Sequence, residues 1–171
     1  MKGIIYNRWC SLRRRSLSEN FKKDKTTYIG CTIAEEWLDF KIFSKWFEEN
    51  WKFEYMDSSW QLDKDILVKG NKIYSPETCC FVPHEINSLF MSTMKIIGLY
   101  PIGVNKERGK YRVRMGGNRK HLGTFNTPEE AFQVYKTAKE KYIKEVADKW
   151  KGLISPRVYE AMYNYQVEIT D

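Results

Sequence analysis

Lys110-Tyr111-Arg112-Val113-Arg114-Met115 is the centre of the stretch YPIGVNKERGKYRVRMGGNRKHLGTFNTPEEAFQVYKTAKEKYIKEVADKW, Tyr100 to Trp150, whose reading decides the fold. Successive strand residues point to opposite faces, so Lys110, Arg112 and Arg114 share one face and Tyr111, Val113 and Met115 the other. One face asks for a core, the other for an anion. Pro101-Ile102-Gly103-Val104 and Lys120-His121-Leu122-Gly123-Thr124-Phe125 are short enough to be flanking strands. Arg108-Gly109 and Gly116-Gly117-Asn118 supply the turns between them. Thr127-Pro128-Glu129-Glu130 then opens a helix, with a hydroxyl at the cap, proline in the first turn and glutamate three residues on. Phe132, Tyr135, Ala138, Tyr142 and Val146 form its apolar stripe. The expectation is a three-stranded antiparallel sheet backed by one long helix, with the arginine face left open.

Working outward, charge is distributed unevenly. Residues 1–25 carry eight Lys/Arg against two acids, and residues 106–120 carry seven against one, within a net charge of +7. Those two segments together hold +12, which the rest of the chain offsets. Segregation of this kind is the footprint of a polyanion binder. Candidate contacts are Lys106, Arg108, Lys110, Arg112, Arg114, Arg119 and Lys120 in the second segment and Arg13, Arg14 and Arg15 in the first. An aromatic content of 15% argues against a disordered chain, since these rings bury enough surface to offset chain entropy. No apolar run is long enough to cross a membrane and no signal-peptide pattern is present, so the expectation is a soluble intracellular protein. The cysteines Cys10, Cys31, Cys79 and Cys80 make no CxxC pair and read as free, largely buried thiols; a zinc site from Cys31, Cys79 and His84 is the alternative.

The first half reads as a separate small domain. Residues 4–25 form a basic helix and a polar loop, with Ile5, Trp9 and Leu12 or Arg13 on one face. A second helix begins after Thr32, its stripe running through Trp37, Phe40, Phe43 (or Ser44) and Phe47. Leu62 to Leu67 reads as a short strand, Gly70-Asn71 as a turn and Cys80-Phe81-Val82-Pro83 as an extended piece. A helix follows from about His84 to Met94. A ββα order with paired acids, and an Asn near the helix start, suits a compact divalent-metal site. From Leu153, Ser155-Pro156 starts a closing helix with Val158, Tyr159, Met162 and Tyr163 at helical spacing.

Gly103-Val104, Tyr111-Arg112-Val113-Arg114, Leu122-Gly123-Thr124-Phe125 and Thr127-Pro128-Glu129-Glu130-Ala131 together resemble the APETALA-type (ethylene-response-factor) DNA-binding domain. This domain also occurs in phage and mobile-element endonucleases. The resemblance implies a sheet laid in the DNA major groove and read by strand arginines. Asn105 stands where plant members usually carry arginine, so a docking mode is implied and not a base preference.

Trp60 to Asn87 resembles, in divergent form, the HNH nuclease motif of phage homing endonucleases. The hydrophobic frame sets Asp63 on the metal aspartate, Lys64 on the general-base histidine, Thr78 on the middle asparagine and Asn87 on the helix ligand. What this implies is Mg²⁺ or Mn²⁺ held by Asp63 and Asn87, with Lys64 or His84 near the attacking water. Lysine is protonated near neutral pH and a poor base unless strongly desolvated.

The resulting expectation is an α+β chain in four parts. These are a basic N-terminal arm (1–25), an HNH-like ββα module (26–97), an APETALA-type domain (98–151) and a C-terminal helical segment (152–171). The function expected is that of a phage-type double-stranded DNA-binding protein with metal-dependent homing-endonuclease activity, in the cytoplasm of the host cell. The alternative is a catalytically inactive DNA-binding regulator, or a phage inhibitor of a host nucleic-acid-targeting defence.

Overall fold

Ile5, Trp9 and Leu12 recur at four- and three-residue steps, and the chain coils there into helix α1 (Lys2–Leu17), which buries all three. The structure is a computed structural model describing residues 2–90, 100–115 and 120–169. It is mixed α+β and divides into two units, Met1–Asn87 and Ser88–Asp171. The segment expected as a separate basic arm thus lies within unit 1.

Ser18 ends α1 and caps helix α2 (Glu19–Asp24), its side chain accepting from Phe21 N. A 3-10 turn, Thr26–Tyr28, and strand β1 (Thr32–Ile33) follow, and then a second 3-10 turn, Glu35–Leu38. The second helix, expected from just after Thr32, starts later. Asp39 caps it by accepting from Lys41 N, so α3 runs Phe40–Asn50 and Trp37 lies ahead of it in the 3-10 turn. Trp37, Phe43 and Phe47 are nevertheless fully buried, while Phe40 of the expected stripe is part-exposed. Phe81 packs edge-on against Phe47 and Trp51, at centroid distances of 4.9 and 5.0 Å. The Trp9 indole donates to the Trp37 carbonyl at 2.8 Å, tying α1 to this aromatic core.

Strand β2 (Trp60–Asp63) is shorter than the expected Leu62–Leu67 piece and sits earlier. Asp63 ends it by turning its carboxylate back onto the amides of Asp65 and Ile66. Strand β3 (Ile73–Tyr74) pairs in parallel with β1, and β4 (Cys80–Pro83) pairs antiparallel with β2 in the register Gln61↔Val82 and Asp63↔Cys80. Helix α4 (His84–Phe90) begins at the expected residue; its expected continuation to Met94 lies outside the described residues.

Unit 2 holds strands β5 (Val104–Glu107), β6 (Lys110–Met115) and β7 (Lys120–Phe125) in one antiparallel sheet of that order. β6 and β7 match the sequence expectation. β5 starts at Val104, the residue where the expected strand ended, because Gly103 has φ +75 and interrupts extended backbone. A side chain at Gly103 would meet the Tyr135 ring at 2.1 Å, so glycine also gives the room in which that ring packs. The hairpin turn Arg108-Gly109 has positive φ at both residues, 51° and 78°, as a two-residue turn between twisted strands demands.

Thr127 caps helix α5 (Pro128–Lys149), which crosses one face of the sheet. Ala131, Phe132, Tyr135, Ile143 and Val146 are buried on it, together with Val104 and Val113 of the sheet. Ile143 takes the place expected for Tyr142, which is exposed. Lys139 lies on the apolar line and sends Nζ to the Leu89 carbonyl. Helix α6 (Pro156–Tyr163) packs on α5 through Val158 and Met162, so residues 152–171 belong to this unit. No helix of the described residues is long and apolar enough to cross a membrane.

Candidate nucleic-acid face and candidate metal site

Val113 is completely buried against α5, so its neighbours Arg112 and Arg114 point to the opposite face, with Lys110 beside them. Register assigns the rest of that face. Asn105 stands opposite Arg112, Glu107 opposite Lys110 and Thr124 opposite Arg112 on the other side. Between Val113 and Arg114 the pairing slips by one residue, leaving Leu122 extra, so His121 stands opposite Arg114. Lys110 donates to Asn126 Oδ1 at 2.6 Å, and Arg112 ion-pairs with Glu107. Asn105, Glu107, Lys110, His121 and Thr124 are exposed; Arg112 and Arg114 are part-exposed.

Two expected members are on the other side. Lys106 pairs across the strands with Tyr111, so it shares the α5 side, where its ammonium lies 5.5 Å from the Tyr111 ring and 6.0 Å from Tyr100. Lys120 stands opposite Met115, two residues along β6 from Val113, and belongs to that side too. Both were grouped with the arginines on charge alone, which carries no information about sidedness. Arg108 projects from the hairpin tip; Arg119 lies outside the described residues, as does the Gly116-Gly117-Asn118 turn. Glu107 and His121 were missed: one is acidic within a basic run, and the other depends on the bulge.

The first basic cluster is part of a folded helix. Arg8 donates Nη2 to the Trp60 carbonyl at 2.7 Å and is structural. Arg13, Arg14 and Arg15 each lie over a ring, 4.5 Å from Trp9, 4.6 Å from Phe21 and 5.4 Å from Tyr28. Arg13 and Arg14 line an open groove with Cys10, Leu17 and Ser18, and Arg13 Nε is buried without a hydrogen-bond partner.

At the candidate metal site, β2 pairs antiparallel with β4 and α4 follows β4, but β3 intervenes between the two strands and pairs elsewhere, so the expected uninterrupted ββα order is not what the chain forms. Asp63 is nearly buried, and its Oδ1 accepts from Asp65 N at 2.9 Å and Ile66 N at 2.8 Å. Burial, aided by the Asp65 carboxylate, pushes the Asp63 carboxyl up to about 6 despite those two amides. Lys64 does not have the geometry of a base. Its Nζ donates to Asp65 Oδ2 at 3.1 Å and to the Asn71 carbonyl at 3.0 Å, which ties it into the loop.

Asn71 answers from the other side of the loop, donating to the Lys64 carbonyl at 2.6 Å and the Ile73 carbonyl at 2.8 Å. Lys64 and Asn71 thus clamp the loop between β2 and β3. Thr78, expected at the middle of the motif, bonds Ser75 and the Ile73 carbonyl near the same place. The reading of Asn71 as a mere turn residue missed this clamp.

His84 and Asn87 lie one turn apart on α4 and are joined by Gln61. Asn87 Nδ2 donates to Gln61 Oε1 at 2.7 Å, and Gln61 Nε2 lies 3.0 Å from His84 Nδ1. With Gln61 Oε1 already accepting, its Nε2 is the donor to His84, and the neutral ring carries its proton on Nε2. His84 therefore presents a donor outward, suited to a phosphate oxygen. Strand alternation puts Gln61 on the same face of β2 as Asp63, the signal that would have found it. The expected metal pair is thus engaged separately: Asp63 with the Asp65 and Ile66 amides and the Asp65 carboxylate, Asn87 with Gln61. Among the described residues no group of three or more His, Cys, Asp or Glu side chains is gathered to hold an ion. Cys31, Cys79 and Cys80 are buried thiols, and burial pushes Cys79 up to about 12.

Asp63 gives a prediction with a defined sign. Its folded value near 6 exceeds the ordinary value of 3.8, so the protonated carboxyl stabilises the fold. That contribution is complete below about pH 4 and is lost as pH rises through about 6. Asp63→Asn keeps the Oδ1 acceptor without the charge. In metal-free buffer it is expected to stabilise the protein by up to about 3 kcal/mol at pH 8, and much less at pH 4. Urea melts at the two pH values measure this. If Asp63 holds Mg²⁺ or Mn²⁺, adding the ion raises the wild-type midpoint and leaves that of the Asn variant unchanged.

Comparison of the chain with protein-family models, with curated proteins and with solved structures finds no match.

Proposed function

We propose that the chain is a duplex-DNA-binding protein that reads DNA with the Arg112–Arg114 face of the β5–β7 sheet. The carrying observation is that two arginines and a lysine share one exposed face while α5 seals the other. Arginine forks pair bidentately with guanine edges in the major groove, and lysine meets phosphate as a point charge. The resemblance of residues 100–150 to the APETALA-type domain supports the same docking mode. The Arg13–Arg15 helix would add phosphate contacts, which position a protein without reading sequence.

The test is a titration of the full chain against duplex DNA over a range of salt. Each neutralised phosphate contributes about −0.9 to the slope of log K against log salt, so three contacts give about −3. A slope near zero rejects a polyanion partner.

A second reading, metal-dependent strand cleavage by an HNH-like ββα segment, is favoured by one observation, the buried Asp63 carboxylate held ionisable near pH 6 at the end of β2. Lys64 weighs against it, since its ammonium is committed to the loop. The segment is better read as a scaffold, which leaves a regulator, or an inhibitor of a nucleic-acid-targeting defence, as the biological role. Nicking of supercoiled plasmid with Mn²⁺, abolished by Asp63→Ala, would restore the nuclease reading.

A further inference from the structure

On a face built to meet DNA, Glu107 is the residue out of place. It projects from β5 on the same side as Lys110, Arg112 and Arg114, directly opposite Lys110, and its carboxylate pairs with the Arg112 guanidinium. The pair is half in solvent, with side-chain exposures of 34% for Arg112 and 50% for Glu107. Ion pairs of that exposure add little to stability, so the fold gives no reason for an acid here. Against a phosphate backbone the acid is a liability, because it cancels one of the three cations beside it.

A carboxylate accepts hydrogen bonds and donates none. In the major groove the donors it can meet are the amino groups of cytosine, N4, and adenine, N6. An adenine also offers the N7 acceptor beside its amino group, which suits an amide and repels a carboxylate. Cytosine presents the donor without that acceptor. Guanine, its partner, offers two acceptors to an arginine, and Arg112 is held next to Glu107 by their own bond.

We propose that Glu107 is the specificity-determining residue of this face, accepting from a cytosine amino group while Arg112 engages a guanine, so that G·C-containing sites are selected and generic duplex is rejected. The proposal rests on the reading of the face as a DNA-binding surface. Its mechanism is a penalty: away from such a site the carboxylate faces phosphates and base acceptors with nothing to accept from.

The experiment is selection of bound duplexes from a pool with a randomised core, using the full chain, Glu107→Gln and Glu107→Ala. Wild type is expected to return sites with a fixed cytosine. Glu107→Gln is expected to exchange that cytosine for adenine, which an amide reads bidentately, and Glu107→Ala to leave the position free. Both variants are expected to bind unselected duplex about three- to tenfold more tightly than wild type at moderate salt. Wild-type sites without a fixed cytosine, or variants that return the wild-type sites, overturn the proposal while leaving the face a DNA binder. Failure of wild type to bind any duplex overturns both.

Discussion

Duplex affinity is expected to fall between about 30-fold and 10⁴-fold when Arg112 and Arg114 are both replaced by alanine. Each bidentate base contact is worth about 1–3 kcal/mol, and every 1.4 kcal/mol is a factor of ten. The two changes are not equivalent. Arg114→Ala removes a cation. Arg112→Ala removes a cation and also leaves Glu107 without its partner on the same face, so it is expected to be the larger loss. Both arginines are part-exposed, and their surroundings hold no core, so the thermal midpoint should move little. Fluorescence anisotropy with a labelled duplex and a melt on the same preparation separate the two quantities. A double variant that binds like wild type removes this face from the account.

Val113→Asp is expected to have the opposite signature, loss of the fold of unit 2 and with it all binding. Val113 has no exposure, sits in the central strand and faces α5 beside Val104. A carboxylate there has no charge partner, and burying an unpaired charge costs several kcal/mol even after relaxation. That is comparable with the whole stability of a small domain, about 5–15 kcal/mol. Hydrogen exchange of the β6 amides reads the outcome directly: protection in wild type, none in the variant. Protected amides in the variant would mean that β6 does not face a core.

The contrast between neighbours 112, 113 and 114 was legible because strand alternation is a property of the backbone and needs no partner. The α5 start was legible for a similar reason, since Thr127, Pro128 and Glu130 satisfy the helix end locally. Features that depend on pairing were not. The sides taken by Lys106 and Lys120 follow from register, and register at the second position turns on the extra residue Leu122. β5 was set too early because Gly103 was counted within the strand, whereas it has positive φ and leaves the room taken by the Tyr135 ring more than thirty residues away. In the first half, Asp63 ends β2 and Asp39 opens α3, each through a side-chain bond to backbone amides that sequence patterning alone does not show. Lys64 was legible as an odd base, but its bonds to Asp65 and Asn71 belong to the tertiary structure.

The three stacked arginines of α1 carry a consequence for how that segment would meet any anion. A loose basic tail gives up rotamer freedom at contact, up to about 2 kcal/mol for each long side chain. Arg13, Arg14 and Arg15 have surrendered much of that freedom already, each held over its own ring by the fold. In a tail, basic residues are interchangeable: their order can be shuffled and arginine swapped for lysine while net charge preserves the function. Here each guanidinium is matched to its own ring, and a lysine ammonium lacks the planar face that a guanidinium can offer to one. A shuffled segment of identical composition would keep the charge and lose the arrangement.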